Sequence, residues 1–544
     1  MTVPTNPLTS ADRHAISGRI VTMDASRTVV DHGVLYIEGN SITTVSPVGA
    51  APPPGFEDVA VSVSRGTIFP GLIELHNHLP YDVLSLWQVP KKYSNRDQWS
   101  GSSTPQYHQL ITGPMKVLGT NPDTVAAIVR YVEVRALLGG TTTSQGVTLS
   151  AAPGMVTHFK GLVRNVENTG DLALPAAGTH VADVAAKDAQ KFLAEISGTR
   201  KLILHLSEGT DQAANDHFAA LQYSPGKWAI TENLIGIHCV ALTDADFATF
   251  KSHGGAMVWS PLSNLLLYGQ TANLGAALKE GVPVALGADW SPSGSKNLLG
   301  ELKAARLAAV GARAPNVSGS DLLAMATSTP AQMLGWEAAV GSLEDGKRAD
   351  LLIVEGTSGD PYERLLDAIE ADIELVMIDG VPRVGTLGLM AHLGATTGLE
   401  RIRVGGRDRV LNLGQVGADQ LVEALTVAAA EQRLAAAMRN LPNTAAAAPA
   451  PAGASPDGRP RLAVSGVVDN QQSPRPHLPL NGRFTGPNLP ETRTVGHVES
   501  LVAAAGPLPA LALDPLIAVD NPAYYATLAQ EMNLPPEVRD GLKP

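Results

Sequence analysis

Pro70-Gly71-Leu72-Ile73-Glu74-Leu75-His76-Asn77-His78 is an apolar run that ends in two histidines one residue apart. The apolar part predicts a strand over residues 68–75. Residues i and i+2 of a strand face the same way, so both imidazoles can reach one ion. Taken alone, a His-x-His pair fits two ordinary loop histidines as well as it fits a metal site. The same placement recurs downstream, however. His205 and His238 close the apolar runs before them, and Asp289 follows Val284-Ala285-Leu286-Gly287-Ala288. Imidazole and carboxylate are the donors that a borderline divalent ion prefers, and a catalytic site leaves one coordination position open for water.

Working outward from that run, short apolar segments at 68–75, 140–144, 162–166, 174–179, 202–206, 234–237, 256–259 and 282–286 predict strands. Most are separated by stretches long enough for helices, among them 124–138, with 298–309 following the last strand. This alternation is the pattern of parallel βαβ units, and eight such strands close a (β/α)8 barrel. Strand-rich blocks flank it. Residues 18–23 and 34–38, with the turn Gly39-Asn40, lie before it. Residues 349–354 and 375–378, with the hairpin turn Asp379-Gly380, lie after it, and the two blocks read as halves of one sheet. Residues 419–441 predict an Ala-rich amphipathic helix, 445–460 an Ala/Pro/Gly linker, and the last eighty or so residues are interrupted by prolines.

The 544 residues exceed one ordinary domain, and a hydrophobic fraction of 44% with 17% charged residues is globular. A formal net charge of -12 speaks against a nucleic-acid binder and leaves a small-molecule substrate as the better fit. The single cysteine, Cys239, excludes a disulfide framework and thiolate-rich zinc sites, which points to a reducing compartment. With no leader-like start and no apolar run of about 18 residues, the reading is a soluble cytoplasmic protein without a membrane partner.

From Gly18 to Val384 the chain resembles the amidohydrolase superfamily, in particular its mononuclear deaminase, chlorohydrolase and urea-hydrolase-like members. The resemblance rests on Gly-Arg-Ile-Val-Thr-Met-Asp at 18–24, the His-x-His strand, His205-Leu206-Ser207-Glu208, His238-Cys239-Val240, Ser260-Pro261-Leu262-Ser263-Asn264, Leu286-Gly287-Ala288-Asp289, and Gly341-Ser342-Leu343 to Ala349-Asp350-Leu351. It implies an α/β architecture with three parts. These are a TIM barrel over 67–336, a small β-sandwich composed of 1–66 and 337–396, and a C-terminal extension over 397–544. It also implies that His76, His78, His205 and Asp289 hold the metal, with His238 near the bound water or the substrate oxygen. Two-metal members carry a carboxylated lysine at the end of strand four. Here that strand reads Ala177-Gly178-Thr179-His180, so one divalent ion is expected, zinc by default, with iron, manganese and cobalt as alternatives. Homo-oligomerisation is a further implication of the resemblance.

Such a site acidifies water and polarises the electrophile. Asp289 can take the water's proton, Glu208 can protonate a leaving nitrogen, and His238 can stabilise the tetrahedral intermediate. Each has a plainer alternative. Glu208 can be a solvated loop acid, His238 a packed core histidine, Asp289 a helix N-cap, and His180 an orienting residue. His108, His158, His217 and His253 receive no role. Residues 93–99 read as a pocket loop or a solvated surface loop, and Trp87, Trp99 and Trp290 as pocket or packing residues. The leading expectation is hydrolysis of a non-peptide C–N bond in an amide, urea or carbamate-like molecule. The alternatives are deamination of an N-heterocycle and a barrel that binds without catalysis.

Overall fold

The structure is a computed structural model that describes residues 13–100, 104–146, 162–180, 188–198, 200–415, 420–447 and 507–543. Its first strands are β1 (Arg13–Val21), β2 (Val29–Glu38), β3 (Ser41–Pro47) and β4 (Val61–Pro70). The expected strand over 68–75 divides at Gly71. Ile68 to Pro70 finish β4, and Leu72–Glu74 form a separate strand, β5, in another sheet. The amide of Gly71 donates to the Asp350 carbonyl at 3.0 Å, and a Cβ at this position would lie 2.3 Å from Cγ2 of Thr142. Only glycine lets the chain pass between the two layers here.

Next come β6 (Thr141–Ser144), β7 (Arg164–Asn165), β8 (Gly178–His180), β9 (Leu202–Leu206), the small hairpin β10 (Gln222–Ser224) and β11 (Lys227–Trp228), then β12 (Leu234–His238), β13 (Ala256–Trp259) and β14 (Val284–Leu286). β5, β6 and β7 form one parallel sheet, and β8, β9, β12, β13 and β14 form another. Hydrogen bonds join the two sheets at both edges: Ala177 N to Val166 O at 3.0 Å, and Leu75 N to Leu286 O at 3.5 Å. The arrangement is of TIM-barrel type, with an additional sheet beside it. Ile73, Leu75, Ile203, Ile235, Ile237, Val258 and Ala285 pack into one buried cluster, capped by Ala331, Met333, Leu334 and Trp336. The intervening residues Leu202, Leu204, Leu206, Met257 and Trp259 pack outward with the helices, so both strand faces are dry, as expected for a parallel sheet.

β15 (Leu351–Glu355), β16 (Ile373–Ile378), β17 (Val381–Gly385), β18 (Leu399–Val404) and β19 (Arg407–Asn412) return to the first layer, giving a nine-stranded mixed sheet in the order β18-β19-β17-β16-β15-β4-β1-β2-β3. Both strand-rich blocks thus share one sheet, and the hairpin β18–β19 extends it beyond residue 396. The expected helix over 419–441 is divided into Gln420–Glu423, Val427–Arg439 and Leu441–Ala447. The Glu400 carboxylate accepts the amides of Val427 and Ala428, and Thr426 caps Ala429 N, which starts a new helix at that point. From residue 448 the expected linker lies outside the described residues. No helix among the described residues is long and apolar enough to cross a membrane.

Candidate metal centre

His76, His78, His205, His238, Glu208 and Asp289, contributed by four strands and the loops that follow them, lie together and are at most 5% exposed. The alternation of β9 places His205 on the same face as Ile203, an interior residue. Alternation alone does not deliver the others. Ile235 and Ile237 face the interior, so His238 would turn outward in a regular strand. Instead its φ is 68°, a left-handed conformation that turns the chain at that residue and brings the ring inward. Asp289 has the same twist, with φ 66°. Non-glycine residues in this region cost about 1–3 kcal/mol and persist where the surroundings impose them. Here the imposing contacts are backbone bonds: Asp289 N to His76 O at 3.0 Å, and His78 N to Asp289 O at 2.9 Å. Gly287 permits this approach, because a Cβ there would lie 2.4 Å from the Cβ of His76.

The donor atoms converge. Nε2 of His76 is 3.2 Å from Nε2 of His205 and 3.2 Å from Oδ1 of Asp289, and Nε2 of His78 is 3.4 Å from the same oxygen. Zinc bonds of about 2.0–2.1 Å in a tetrahedron put neighbouring donors roughly 3.3 Å apart, so these separations fit a shared ion. His76 with His78 and His205, and His76 with His238 and Asp289, each present ligand atoms within 4.8 Å of one another.

Proton positions agree with this fit. Burial holds the His76 imidazole well below its ordinary range and His78 down to about 3, so both rings are neutral at pH 7. Nδ1 of His76 lies 2.7 Å from Oγ of Ser260; a proton there leaves the Nε2 lone pair facing the cluster. Burial also pushes the Asp289 carboxyl well above its ordinary range, against the Ser263 hydroxyl, which donates to Oδ2 at 2.6 Å. A divalent cation supplies the positive charge that would keep this carboxylate ionised. The chemistry of the donor set therefore fits the group.

Glu208 is not a solvated loop acid. Tyr268 donates to its Oε1 at 2.7 Å, Trp99 Nε1 donates to Tyr268 at 2.8 Å, and Oε2 lies 3.7 Å from Nε2 of His238. Nδ1 of His238 is 2.8 Å from Oδ1 of Asn264, whose amide nitrogen donates to Thr271 Oγ1 at 3.1 Å. With Nδ1 protonated, Nε2 turns its lone pair toward the Glu208 side of the cluster. Asp289 caps no helix: the turn Ser291–Ser293 follows Trp290, and helix Leu298–Ala308 is capped by Asn297.

Residues 93–99 are packed against this group rather than solvated across their length. Tyr93, Arg96 and Trp99 are buried, Arg96 N donates to the Glu208 carbonyl at 3.3 Å, and Asn95 bridges to Gly209. The Trp290 ring lies 5.3 Å from that of His78 and 6.2 Å from that of Trp99. Sequence reasoning missed the supporting residues Ser260, Ser263, Asn264 and Tyr268, although the first three stand in the quoted Ser-Pro-Leu-Ser-Asn motif. His108 and His253 bond to Thr112 and to the Thr249 carbonyl on their own helices, away from the cluster. The His180 side chain and His158 lie outside the described residues.

The Amidohydrolase family profile matches residues 180–383. A 5-methylthioadenosine/S-adenosylhomocysteine deaminase of Thermoanaerobacter pseudethanolicus is 25% identical over 402 residues, which is 66% of this chain and 91% of that protein. The deaminase of the same description from Acetivibrio thermocellus is 32% identical over 157 residues, 27% of this chain and 36% of that protein. Among solved structures, a zinc-bound adenosine deaminase from Xanthomonas campestris aligns at 20% identity with a TM-score of 0.53, covering 69% of this chain and 94% of its own. A zinc complex of atrazine chlorohydrolase from Arthrobacter aurescens aligns at 20% identity and 0.53, covering 70% and 99%.

Proposed function

We propose, for a chain that belongs to the amidohydrolase superfamily and is a metal-dependent hydrolase of non-peptide C–N bonds, that the bond it breaks joins an amino group to an N-heterocycle. The observation that carries this reading is Glu208: a buried carboxyl held by Tyr268 at one oxygen and facing His238 with the other, inside the imidazole cluster. A departing amine needs a proton, and a carboxyl positioned inside the cluster is a group that can carry one to it. The deaminase relatives support the same choice.

In this reading His76, His78, His205 and Asp289 hold one divalent ion, zinc first, which when bound acidifies a water and polarises the heterocycle. Asp289, steadied by Ser263, would accept the water's proton. Glu208 would pass a proton to the leaving nitrogen, so that a C–O bond forms, the C–N bond breaks and ammonia leaves. His238 would stabilise the charge that develops at the tetrahedral centre. We further read the eight parallel strands as one closed barrel spanning 67–336, with the flanking sheet and the C-terminal extension as separate units. The hairpin β18–β19 goes to the sheet, and the assembly is a homo-oligomer.

A second reading, release of an amine from an amide, urea or carbamate-like molecule, is favoured by residues 93–99, which pack on the Glu208 backbone and give that side of the site a particular wall. Assays of ammonia release from purine nucleosides, pterins and pyrimidines, beside amine release from anilides and ureas, separate the two. Turnover confined to the second panel would overturn the deaminase reading.

A further inference from the structure

The C-terminal segment, residues 507–543, docks beside the loop that follows His78. Asp514 is 2% exposed and accepts from Arg135 Nη1 at 2.9 Å, from Lys296 Nζ, and from Asn521 Nδ2 at 3.1 Å. Its backbone is held as well, with Asp514 N donating to the Val83 carbonyl at 3.1 Å and Tyr131 donating to the Asp514 carbonyl at 2.5 Å. Arg135 and Lys296 are both buried, and a buried cation deprived of its carboxylate is strongly destabilising. Two bases of the barrel thus take their counter-charge from a residue more than two hundred positions later in the chain.

The same contacts lead to a metal ligand. Arg135 Nη1 also donates to the Asp82 carbonyl at 2.5 Å, and Arg135 Nε to the Lys296 carbonyl at 3.0 Å. The Asp82 carboxylate accepts the amide and the hydroxyl of Ser291, each at 2.9 Å, and Ser291 stands two residues after Asp289. Farther along, Glu531 accepts the amide of Val89 at 3.2 Å, and Asn533 donates to the Leu266 carbonyl at 2.7 Å, near the end of the helix Pro261–Tyr268 that carries Ser263 and Tyr268. The segment therefore touches the loop after His78, the segment after Asp289 and the helix that orients Glu208. The solved neighbours are covered over 94% and 99% of their length by 69% and 70% of this chain, so much of this chain has no counterpart in them.

We propose that Asp514 is a positioning residue for the metal centre. Through Arg135 and Asp82 it fixes the backbone after Asp289, which makes the C-terminal segment a working part of the site. This rests on the metal reading above, so the test carries one measurement that does not. Full-length protein and Asp514→Asn are compared by hydrogen exchange of metal-free protein over 79–92 and 288–297, and by zinc affinity in competition with a chelator. The expected result is faster exchange in both segments with no change over 61–70 in the nine-stranded sheet, and zinc held about 10–100-fold more weakly, the range seen when ligand-orienting partners are lost. Asp514→Glu restores part of both. Should Asp514→Asn fold poorly, the double variant Lys296→Met, Asp514→Asn removes one cation together with the carboxylate and leaves Arg135 facing Asp82. It is expected to regain thermal stability and keep the weaker zinc affinity. Equal exchange and equal affinity in Asp514→Asn, or exchange that quickens equally over 61–70, overturns the proposal. Wild-type protein that binds none of zinc, iron, manganese or cobalt sinks the metal reading, while the exchange contrast still decides the role of the segment.

Discussion

Two polar clusters, one built around the buried pair Arg164–Asp350 and one buried throughout at the strand ends, are assembled from different chemistry. Between the barrel and the nine-stranded sheet, Arg164 pairs with Asp350 and, at 2.8 Å, with Asp379, while Arg348 pairs with Asp379 at 2.9 Å and with Asp171. Each cation there meets a carboxylate, and the cluster is complete as protein. At the strand ends, ring nitrogens and a carboxylate oxygen point at one another across 3.2–3.4 Å, with both His76 and His78 neutral. That cluster sets donor atoms of one kind, imidazole nitrogens and a carboxylate oxygen, face to face, an arrangement that suits a shared proton or cation. Burial alone does not distinguish a functional group from a structural one; the kind of neighbour does, opposite charges in the first cluster and like donor atoms in the second.

The largest expected effect is at Asp289. Asp289→Asn keeps a residue that tolerates the left-handed backbone and removes the carboxylate charge proposed to hold the ion, so kcat/KM should fall about 10³–10⁴-fold while circular dichroism stays that of the wild type. Retained turnover would break the comparison at its functional end. At the other end, Arg164→Met leaves Asp350 buried without its cation. Thermal or urea unfolding should report a loss of about 3–5 kcal/mol with zinc affinity unchanged. If Arg164→Met also lost zinc, the two clusters would not be separable in the way argued.

How much of this was legible depended on what each residue needs from its neighbours. His76, His78, His205 and Asp289 could be found because each ends an apolar run, and the apolar runs exist for core packing. His238 was also legible as a strand end, yet the left-handed turn that brings its ring inward was not, because nothing local distinguishes it from the regular alternation of Ile235 and Ile237. Ser263 and Tyr268 were not assigned, since a hydroxyl acquires a role only when a carboxylate lies opposite, and Asp289 and Glu208 come from other strands. The division at Gly71 and the docking of Asp514 depend on contacts with Thr142, Arg135 and Lys296, which no periodicity encodes.

A smaller effect sharpens the same contrast. If this donor cluster holds the ion, zinc should stabilise the fold by mass action, by about 2.7 kcal/mol at a free concentration 100 times Kd. The increment should vanish in Asp289→Asn and persist in Arg164→Met, read as the rise of Tm on zinc addition. An equal rise in Asp289→Asn would place the ion elsewhere.

The smallest expected effect concerns the group that supports Glu208. Tyr268→Phe removes one hydrogen bond to the carboxyl, leaves the ring in its buried seat, and also deprives Trp99 Nε1 of its acceptor. One such hydrogen bond is worth about 0.5–1.5 kcal/mol, so roughly a two- to tenfold loss is expected. If Glu208 protonates the leaving nitrogen, the loss falls on kcat and shrinks for substrates whose leaving group departs without a proton, while KM and zinc content stay near those of the wild type. If Tyr268 serves only to pack helix Pro261–Tyr268 against the loop at 93–99, the loss is independent of the leaving group and is accompanied by lower thermal stability. The leaving-group series therefore tests whether Glu208 belongs with the imidazole cluster by chemistry as well as by position.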